Sequence, residues 1–377
     1  MKIFFPLGAF YPSQIGGPCN TLYWHCCALK HNSVEPTVIT TTVGIEKDKV
    51  VFDEWIKSDC GDVYYSTKGV FSFSTIKIIS REIANTDILH LNSLFSAFSI
   101  YSFIYKSLFY PKKKIVWSVR GELNDNALKY SSWKKKPLLF LYKLFNKNIV
   151  YHSTSKQETE GIKKIFPKSK VISLPNLLSP SKRLDLQNSN DLLYVGRIHP
   201  IKSLHKLISA LALSDVFMES SSKLFIVGKQ EDRHNYYKEE LESQIEELKL
   251  QNKIVFKGHL EGDDKEKMYA SSYALILPSE TENFGNVVVE SLNQGTPVIA
   301  SKGTPWEILE EYNAGLHVSN EPQKLAKAID ALLQLDKIEY KQMRLNSYKL
   351  VDENFKVDTQ IHKWIEIYKN ILDENTK

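Results

Sequence analysis

Two α/β units, each built on a doubly wound parallel sheet, are what this sequence predicts, on three observations. Short apolar runs alternate with helical patterns along most of the chain, the rhythm of successive βαβ units. The 377 residues exceed one ordinary core and suit two of ~150–200 residues each. A polar stretch from Ser179 to Asn190, just after Pro175-Asn176, reads as the linker between them.

In the first half the strands are expected at Lys2–Phe5, Thr37–Thr41, Asp87–Leu91, Lys114–Val119, Asn148–His152 and Val171–Leu174. Helical patterns fill Pro18–His31, Ser74–Ala84, Phe95–Phe109, Trp133–Asn146 and Lys156–Ile165, while Asp53–Phe73 shows no clear period. The second half places strands at Leu192–Val195, Leu224–Val227, Ile254–Phe256, Ala274–Leu277, Val298–Ala300 and Leu316–Val318. A helix is expected from Ser203 to about Leu213, and another to start at Thr304, with Thr304 as N-cap, Pro305 at N1 and Glu307 at N3. After Glu321 the chain turns helical, ending in a helix from Phe355 to about Leu372.

Hydrophobic residues at 42% and charged residues at 25% are globular values. A net charge of +5 is mild, and nucleic acid is not an expected partner. Cys19, Cys26, Cys27 and Cys60 show no metal-ligand spacing, so a reducing, cytoplasmic setting is the simplest. Met1–Phe5 reads as a strand start rather than a signal peptide, and no run approaches the ~18 apolar residues of a membrane span. Two stretches mix lysines with aromatics, Tyr101–Lys114 and Trp133–Lys147. Each suits an anionic membrane surface, or equally an ordinary amphipathic helix packed on the sheet.

The densest chemistry lies in Tyr273–Ser301: strand, polar loop, helix, turn and strand in quick succession. Pro278 and Ser279 end the first strand, and a helix starts near Gly285 or Asn286; Gly295 caps it and Pro297 prevents continuation. The amides of Gly285, Asn286 and Val287 would emerge from a helix start, where unpaired N–H groups and the dipole attract phosphate. Glu282 precedes that start and Glu290 lies about one turn inside it. Carboxylates there cannot bind an anion, but they can accept hydrogen bonds from sugar hydroxyls. The plain alternative is a pair of solvated helix-end acids.

Arg197 and Lys202 follow the strand Leu192–Val195, where two cations could clamp a diphosphate. Gly16-Gly17 after the first strand permits either close ligand approach or a simple tight turn. His90 ends the strand DILHL, at the edge where open α/β sheets place ligands; a satisfied structural histidine is the equal alternative. Arg120, in Ser118-Val119-Arg120-Gly121-Glu122, offers a fixed planar cation for phosphate or carboxylate.

The run Pro278-Ser-x-x-Glu282-Asn-Phe284-Gly285-x4-Glu290, followed by Gly295-Thr-Pro-Val-Ile-Ala, resembles the signature of glycosyltransferase family 4, the group 1 enzymes; Gly196-Arg197-x4-Lys202 resembles its phosphate-binding pair. The resemblance is strongest over 192–307, moderate over 87–176 and weak before that. It implies the GT-B fold, two Rossmann-like domains facing across a cleft: an acceptor domain 1–178, a donor domain 179–353, and a C-terminal helix 354–377 crossing back. The implied reaction is retaining transfer of a hexosyl unit from a nucleoside diphosphate sugar, UDP-sugar favoured, to a glycan or lipid-linked acceptor in surface-polysaccharide assembly. The donor is a substrate, and no cofactor is implied.

By the same resemblance Glu290 would hold the ribose, Glu282 the donor sugar, and Arg197 and Lys202 the diphosphate. Phe284, Gly285, Asn286, Val287, Gly228 and Gly258 would line the nucleotide pocket, with Gly16 and Gly17 toward the diphosphate and sugar. Many family members carry a histidine near position 120, and Arg-Gly-Glu here departs from that pattern. No Asp-x-Asp pair occurs in the sequence, so a metal-free mechanism is expected. The rival readings are a sugar-nucleotide epimerase of the same fold and a catalytically silent nucleotide-sugar-binding partner.

Overall fold

The computed structural model describes residues 1–373 apart from 14, 16, 47, 125–127, 129–131, 180, 187–188 and 231–234. The chain divides into two units, Met1–Ser179 with Lys356–Lys377, and Pro180–Phe355. The first contains β1 (Lys2–Pro6), α1 (Gly17–His31), β2 (Glu35–Thr41), β3 (Trp55–Ser58), β4 (Gly61–Ser66), α2 (Phe73–Asn85) and β5 (Ile88–Asn92). It continues through α3 (Ala97–Phe109), β6 (Lys114–Ser118), α4 (Ser132–Leu144), β7 (Ile149–Ser153), α5 (Lys156–Ile165) and β8 (Lys170–Ser173). The second runs β9 (Leu192–Val195), α6 (Leu204–Ala212), α7 (Asp215–Glu219), β10 (Leu224–Val227), α8 (Asn235–Glu247), β11 (Ile254–Gly258) and α9 (Gly262–Ser271). It ends with β12 (Ala274–Leu277), α10 (Asn286–Asn293), β13 (Val298–Ser301), α11 (Ile308–Glu311), β14 (Gly315–Val318), α12 (Pro322–Leu333) and α13 (Lys337–Asn354). The last helix, α14 (Val357–Asp373), belongs to the first unit.

The described strands of the first unit form one sheet in the order β3-β4-β2-β1-β5-β6-β7-β8, parallel except for the β3–β4 hairpin. That hairpin occupies part of the stretch without a clear period. Its first strand mixes Trp55 and Ile56 with Lys57 and Ser58, half-exposed at the sheet edge, so no clean alternation marks it. Elsewhere the two-residue period sorts side chains by face. Ile3 and Phe5 join α1 and α14 on one side, and Phe4, Leu89 and Trp117 join α2, α3 and α4 on the other.

The second unit's sheet is wholly parallel, in the order β11-β10-β9-β12-β13-β14. Strand order reverses between β9 and β12, and the loops leaving their carboxyl ends diverge there, the crevice where open α/β sheets bind ligands. Helix α6 supports this edge by burying Leu204, Leu207, Ile208, Ala210 and Leu211, a helical stripe. Each large aliphatic among them contributes about 1.5–3 kcal/mol. The expected helix start at Thr304 is corrected: Thr304 donates its hydroxyl to the Ser301 carbonyl (2.6 Å) and the helix begins at Ile308. A turn next to the strand end competes for that hydroxyl and wins.

Candidate functional site

At the β9–β12 reversal, Gly196-Arg197 leaves β9 and Lys202 ends a short 3-10 turn, while Ser279–Gly285 leaves β12. Two lysine–carboxylate pairs pin these loops together. Lys202 Nζ contacts Glu282, both side chains only 13–15% exposed, and Lys206 pairs with Glu280. Glu282 also accepts from Ser279 Oγ (2.9 Å), and its backbone N–H donates to the Gly303 carbonyl (3.1 Å). The ion pair with Lys206, followed by hydrogen bonds from Ser203 and Asn320, holds the Glu280 carboxyl below its ordinary range despite some burial. Arg197 is exposed at the same edge, its carbonyl accepting from the Tyr194 hydroxyl (2.8 Å).

Gly285 caps α10 in the left-handed region, φ +82°, a conformation that costs other residues and explains glycine here. The first backbone donor bonded back is Val288 N, to the Gly285 carbonyl (3.0 Å), so the amides of Gly285, Asn286 and Val287 precede the helical ladder. Glu290 accepts from the Tyr269 hydroxyl (2.8 Å) and from Lys265 Nζ (3.1 Å), with about a quarter of its side chain exposed. Tyr269 is wholly buried, so Glu290 satisfies a hydroxyl that has no access to water. Gly258, φ +72°, has open space where a side chain would stand.

Two predicted pocket residues have structural duties. Phe284 is 5% exposed, its ring against Trp306 and Phe355, and its carbonyl accepts from Trp306 Nε1 (2.5 Å). Its side chain therefore anchors the loop from below and offers no surface to a ligand. Gly228 is required by backbone packing: a Cβ there would lie 1.8 Å from the Gly196 carbonyl oxygen. Missed from sequence were Glu280, Lys206, Lys265 and Tyr269. Each is an ordinary residue type whose partner lies tens of residues away, and no local spacing flags it.

In the first unit, Gly17 begins α1 and Gly16 lies outside the described residues. Of the two readings of His90, the geometry fits the satisfied structural histidine: it has no exposed surface and both ring nitrogens are engaged. A hydrogen-bond chain runs through it. His152 Nε2 faces the Leu174 carbonyl (2.9 Å) and must donate; with a neutral ring its Nδ1 accepts from Ser118 (2.8 Å). Ser118 then accepts from His90 Nε2 (2.9 Å), His90 Nδ1 accepts from the Tyr368 hydroxyl (2.6 Å), and Tyr368 accepts from His25 Nε2 (3.2 Å). Burial lowers all three histidines, His152 to about 3, with neighbouring histidines and Arg120 acting in the same sense.

Arg120 stands beside this chain with φ +59°, outside the usual range for a residue with a side chain. Its Nε and Nη2 donate to Asn92 Oδ1 (3.2 and 2.9 Å) and its Nη1 to Asn176 Oδ1 (2.6 Å), neutral oxygens in each case. Burial lowers it to about 10. The strained turn is held by two carboxylates: Glu122 accepts from Ser93 Oγ (2.6 Å) and the Leu94 amide, and Glu158 accepts from the Gly121 and Thr154 amides (2.5 and 2.7 Å). Among the described residues no group of three His, Cys, Asp or Glu side chains is placed to hold a metal ion.

Residues 180–350, a little under half of the chain, match the family model Glycosyl transferases group 1. An uncharacterized glycosyltransferase of Methanocaldococcus jannaschii is 30% identical over 48% of this chain and 45% of its own length. The O-antigen chain mannosyltransferase RfbU of Salmonella typhimurium is 26% identical over 43% of each chain. The chain thus spans less than half the length of these curated relatives. Anabaena HepE, solved in complex with UDP and glucose, superposes with a TM-score of 0.75 over 98% of this chain and 100% of its own, at 18% identity. That likeness, with the two parallel sheets, defines the GT-B fold.

Proposed function

We propose that the chain is a retaining glycosyltransferase that moves a hexosyl unit from a nucleoside diphosphate sugar, a UDP-sugar in the first instance, to a hydroxyl of a glycan or lipid-linked acceptor in surface-polysaccharide assembly. The carrying observation is the convergence at one strand-order reversal of Arg197, Lys202, the α10 amides, Glu282 and Glu290. Cations and helix amides flanked by two carboxylates match a ligand that is phosphate in the middle and hydroxylated at both ends. RfbU, named for mannosyl transfer to an O-antigen chain, and HepE, solved with UDP and glucose, support the substrate class.

In this reading Glu290 takes ribose hydroxyls and Glu282 takes hydroxyls of the donor sugar. Lys202, paired with Glu282 in the free unit, turns to the diphosphate as donor arrives, freeing the carboxylate for the sugar. The bond from the anomeric carbon to phosphate oxygen breaks, and the negative charge that develops there is stabilised by Arg197, Lys202 and the α10 amides. The acceptor oxygen bonds to the anomeric carbon on the face the phosphate leaves, and its proton passes to the departing phosphate oxygen. Arg120 supplies a cation on the acceptor-binding unit. His90 orders the interior behind it.

The test is turnover of UDP-, GDP- and ADP-hexoses, with and without a lipid-linked glycan fraction. The expected result is acceptor-dependent release of one nucleoside diphosphate and a product that keeps the donor's anomeric configuration. No turnover of any donor, or a new sugar nucleotide formed without acceptor, would overturn it.

A further inference from the structure

Glu280 and Lys206 form a second ion pair at the β9–β12 edge, beside that of Lys202 and Glu282. Glu280 lies two residues before Glu282, and Lys206 four residues after Lys202, so both pairs join the same two segments. Three donors meet at one oxygen: Lys206 Nζ, Ser203 Oγ (3.2 Å) and Asn320 Nδ2 (3.2 Å) all reach Glu280 Oε1. Asn320 also donates to the Pro278 carbonyl (3.0 Å) and accepts from Lys206 Nζ (3.4 Å), so it braces both partners. The backbone beneath is fixed as well. The Glu280 amide donates to the Ile201 carbonyl (2.9 Å), and a Cβ at Gly303 would meet the Glu280 carbonyl oxygen at 2.1 Å.

Stability alone does not account for this cage. The Lys206 and Glu280 side chains are 30% and 44% exposed, and ion pairs so open to solvent stabilise a fold little. Charge does account for it. Lys206 holds the Glu280 carboxyl ionised, below its ordinary range, at an edge whose cations and helix amides otherwise attract anions. Uncaged, that carboxylate would repel a diphosphate and compete for Lys202, the chain neighbour of the Ser203 it already touches.

We infer that Lys206 is a positioning residue for donor binding: it sequesters the Glu280 carboxylate, so that Glu282 alone competes with the diphosphate for Lys202. Ser203 and Asn320 act with it, holding the carboxylate on the α6 side of the loop. With Glu280 neutralised, the diphosphate meets Arg197 and Lys202, and the carboxylate released on its arrival is Glu282, which turns to the sugar hydroxyls. The inference rests on the donor site proposed above and adds to it a residue that touches no substrate.

The experiment is calorimetric titration of UDP, GDP and ADP into the full chain and into Lys206→Met, Glu280→Gln, Lys206→Met/Glu280→Gln and Lys206→Arg. For the nucleotide that wild type takes, Lys206→Met should bind about fivefold more weakly and Glu280→Gln about fivefold more tightly, opposite signs from the two halves of one ion pair. The double variant should return to within about twofold of wild type, and Lys206→Arg, which keeps the charge, should match it. These differences should shrink in 0.5 M salt, because both groups are partly in solvent. An ion pair that merely stabilised the fold would lower Tm in both single variants and leave affinity unmoved, or reduced, in both. Where Lys206→Met fails to fold, Glu280→Gln carries the test by itself. The inference is overturned if wild type binds a nucleotide and Glu280→Gln binds it no more tightly, or Lys206→Met no more weakly. If no nucleotide binds wild type, the donor-site reading fails and the inference falls with it.

Discussion

Glu282→Gln separates the ion pair seen in the structure from the sugar-binding duty proposed for the same carboxylate. In the free unit Glu282 neutralises Lys202, both groups largely buried, while Ser279 Oγ donates to it at 2.9 Å. Glutamine keeps the volume and one acceptor oxygen, so the Ser279 bond and the loop survive, but the ion pair is lost. Breaking a fully buried pair costs about 3–5 kcal/mol and an exposed one under about 1 kcal/mol. At 13–15% exposure a loss of about 2 kcal/mol is expected, a Tm drop of roughly 4–8 °C for a unit of this size. Lys202 is then released to the diphosphate and a nearby negative charge is gone. The nucleoside diphosphate alone should bind about fivefold more tightly, a gain of about 1 kcal/mol. Sugar transfer should fall by about 100-fold or more, because the donor hydroxyls lose a charged acceptor. Calorimetry with the diphosphate and steady-state kinetics with its sugar read the two effects. Weaker diphosphate binding together with unchanged turnover would refute the division of duties.

Other perturbations report on neighbouring features. Glu290→Ala strips the acceptor from the buried Tyr269 hydroxyl (2.8 Å) and should cost about 1–3 kcal/mol, visible as a lower urea midpoint. Glu290→Gln should restore most of that stability but not nucleotide affinity. Gly228→Ala drives a Cβ to 1.8 Å from the Gly196 carbonyl oxygen; expression as insoluble protein, or a Tm lower by about 10 °C or more, is expected. Acid should weaken the first unit. The unfolded histidines take protons near pH 6.5, whereas His25, His90 and His152 stay neutral when folded. Their stabilisation is complete above about pH 6.5 and is lost as pH falls toward the folded values, at up to about 4 kcal/mol per pH unit for three groups. Glu122 and Glu158, raised by burial, act in the opposite sense in the carboxylate range. Urea midpoints by tryptophan fluorescence at pH 7 and pH 5 check this, and equal midpoints would contradict it. Tyr368→Phe interrupts the chain between His25 and His90 and should remove about 1–3 kcal/mol at pH 7.

Legibility in the sequence followed the range of the interaction. The α10 start was readable because Pro278, Ser279 and Gly285 act locally, through strand termination and a backbone conformation that glycine tolerates best. The parallel sheets were readable from apolar runs buried on both faces, such as Ala274–Leu277. The β3–β4 hairpin was not, since a half-exposed edge strand carries no strong alternation. Thr304 met every local rule for an N-cap and was taken instead by the Ser301 carbonyl three residues back, a competing local turn at the strand end. His90, Phe284 and Gly228 each have a structural partner that local spacing does not show: Tyr368, Trp306 and the Gly196 carbonyl, 278, 22 and 32 residues away. The lysine of the Lys202–Glu282 pair was placed at the right edge, but its partner across 80 residues appears only when β9 and β12 stand side by side.

The central claim is that the β9–β12 edge holds a nucleoside diphosphate. Its most direct test is calorimetric titration of UDP, GDP and ADP into the full chain and into Glu290→Gln, which keeps an acceptor for Tyr269. One nucleotide should bind to wild type, UDP in the first instance, with the variant at least about tenfold weaker. Binding of none, or equal binding by the variant, would make Glu290 a structural acid and leave the transferase reading without its donor site.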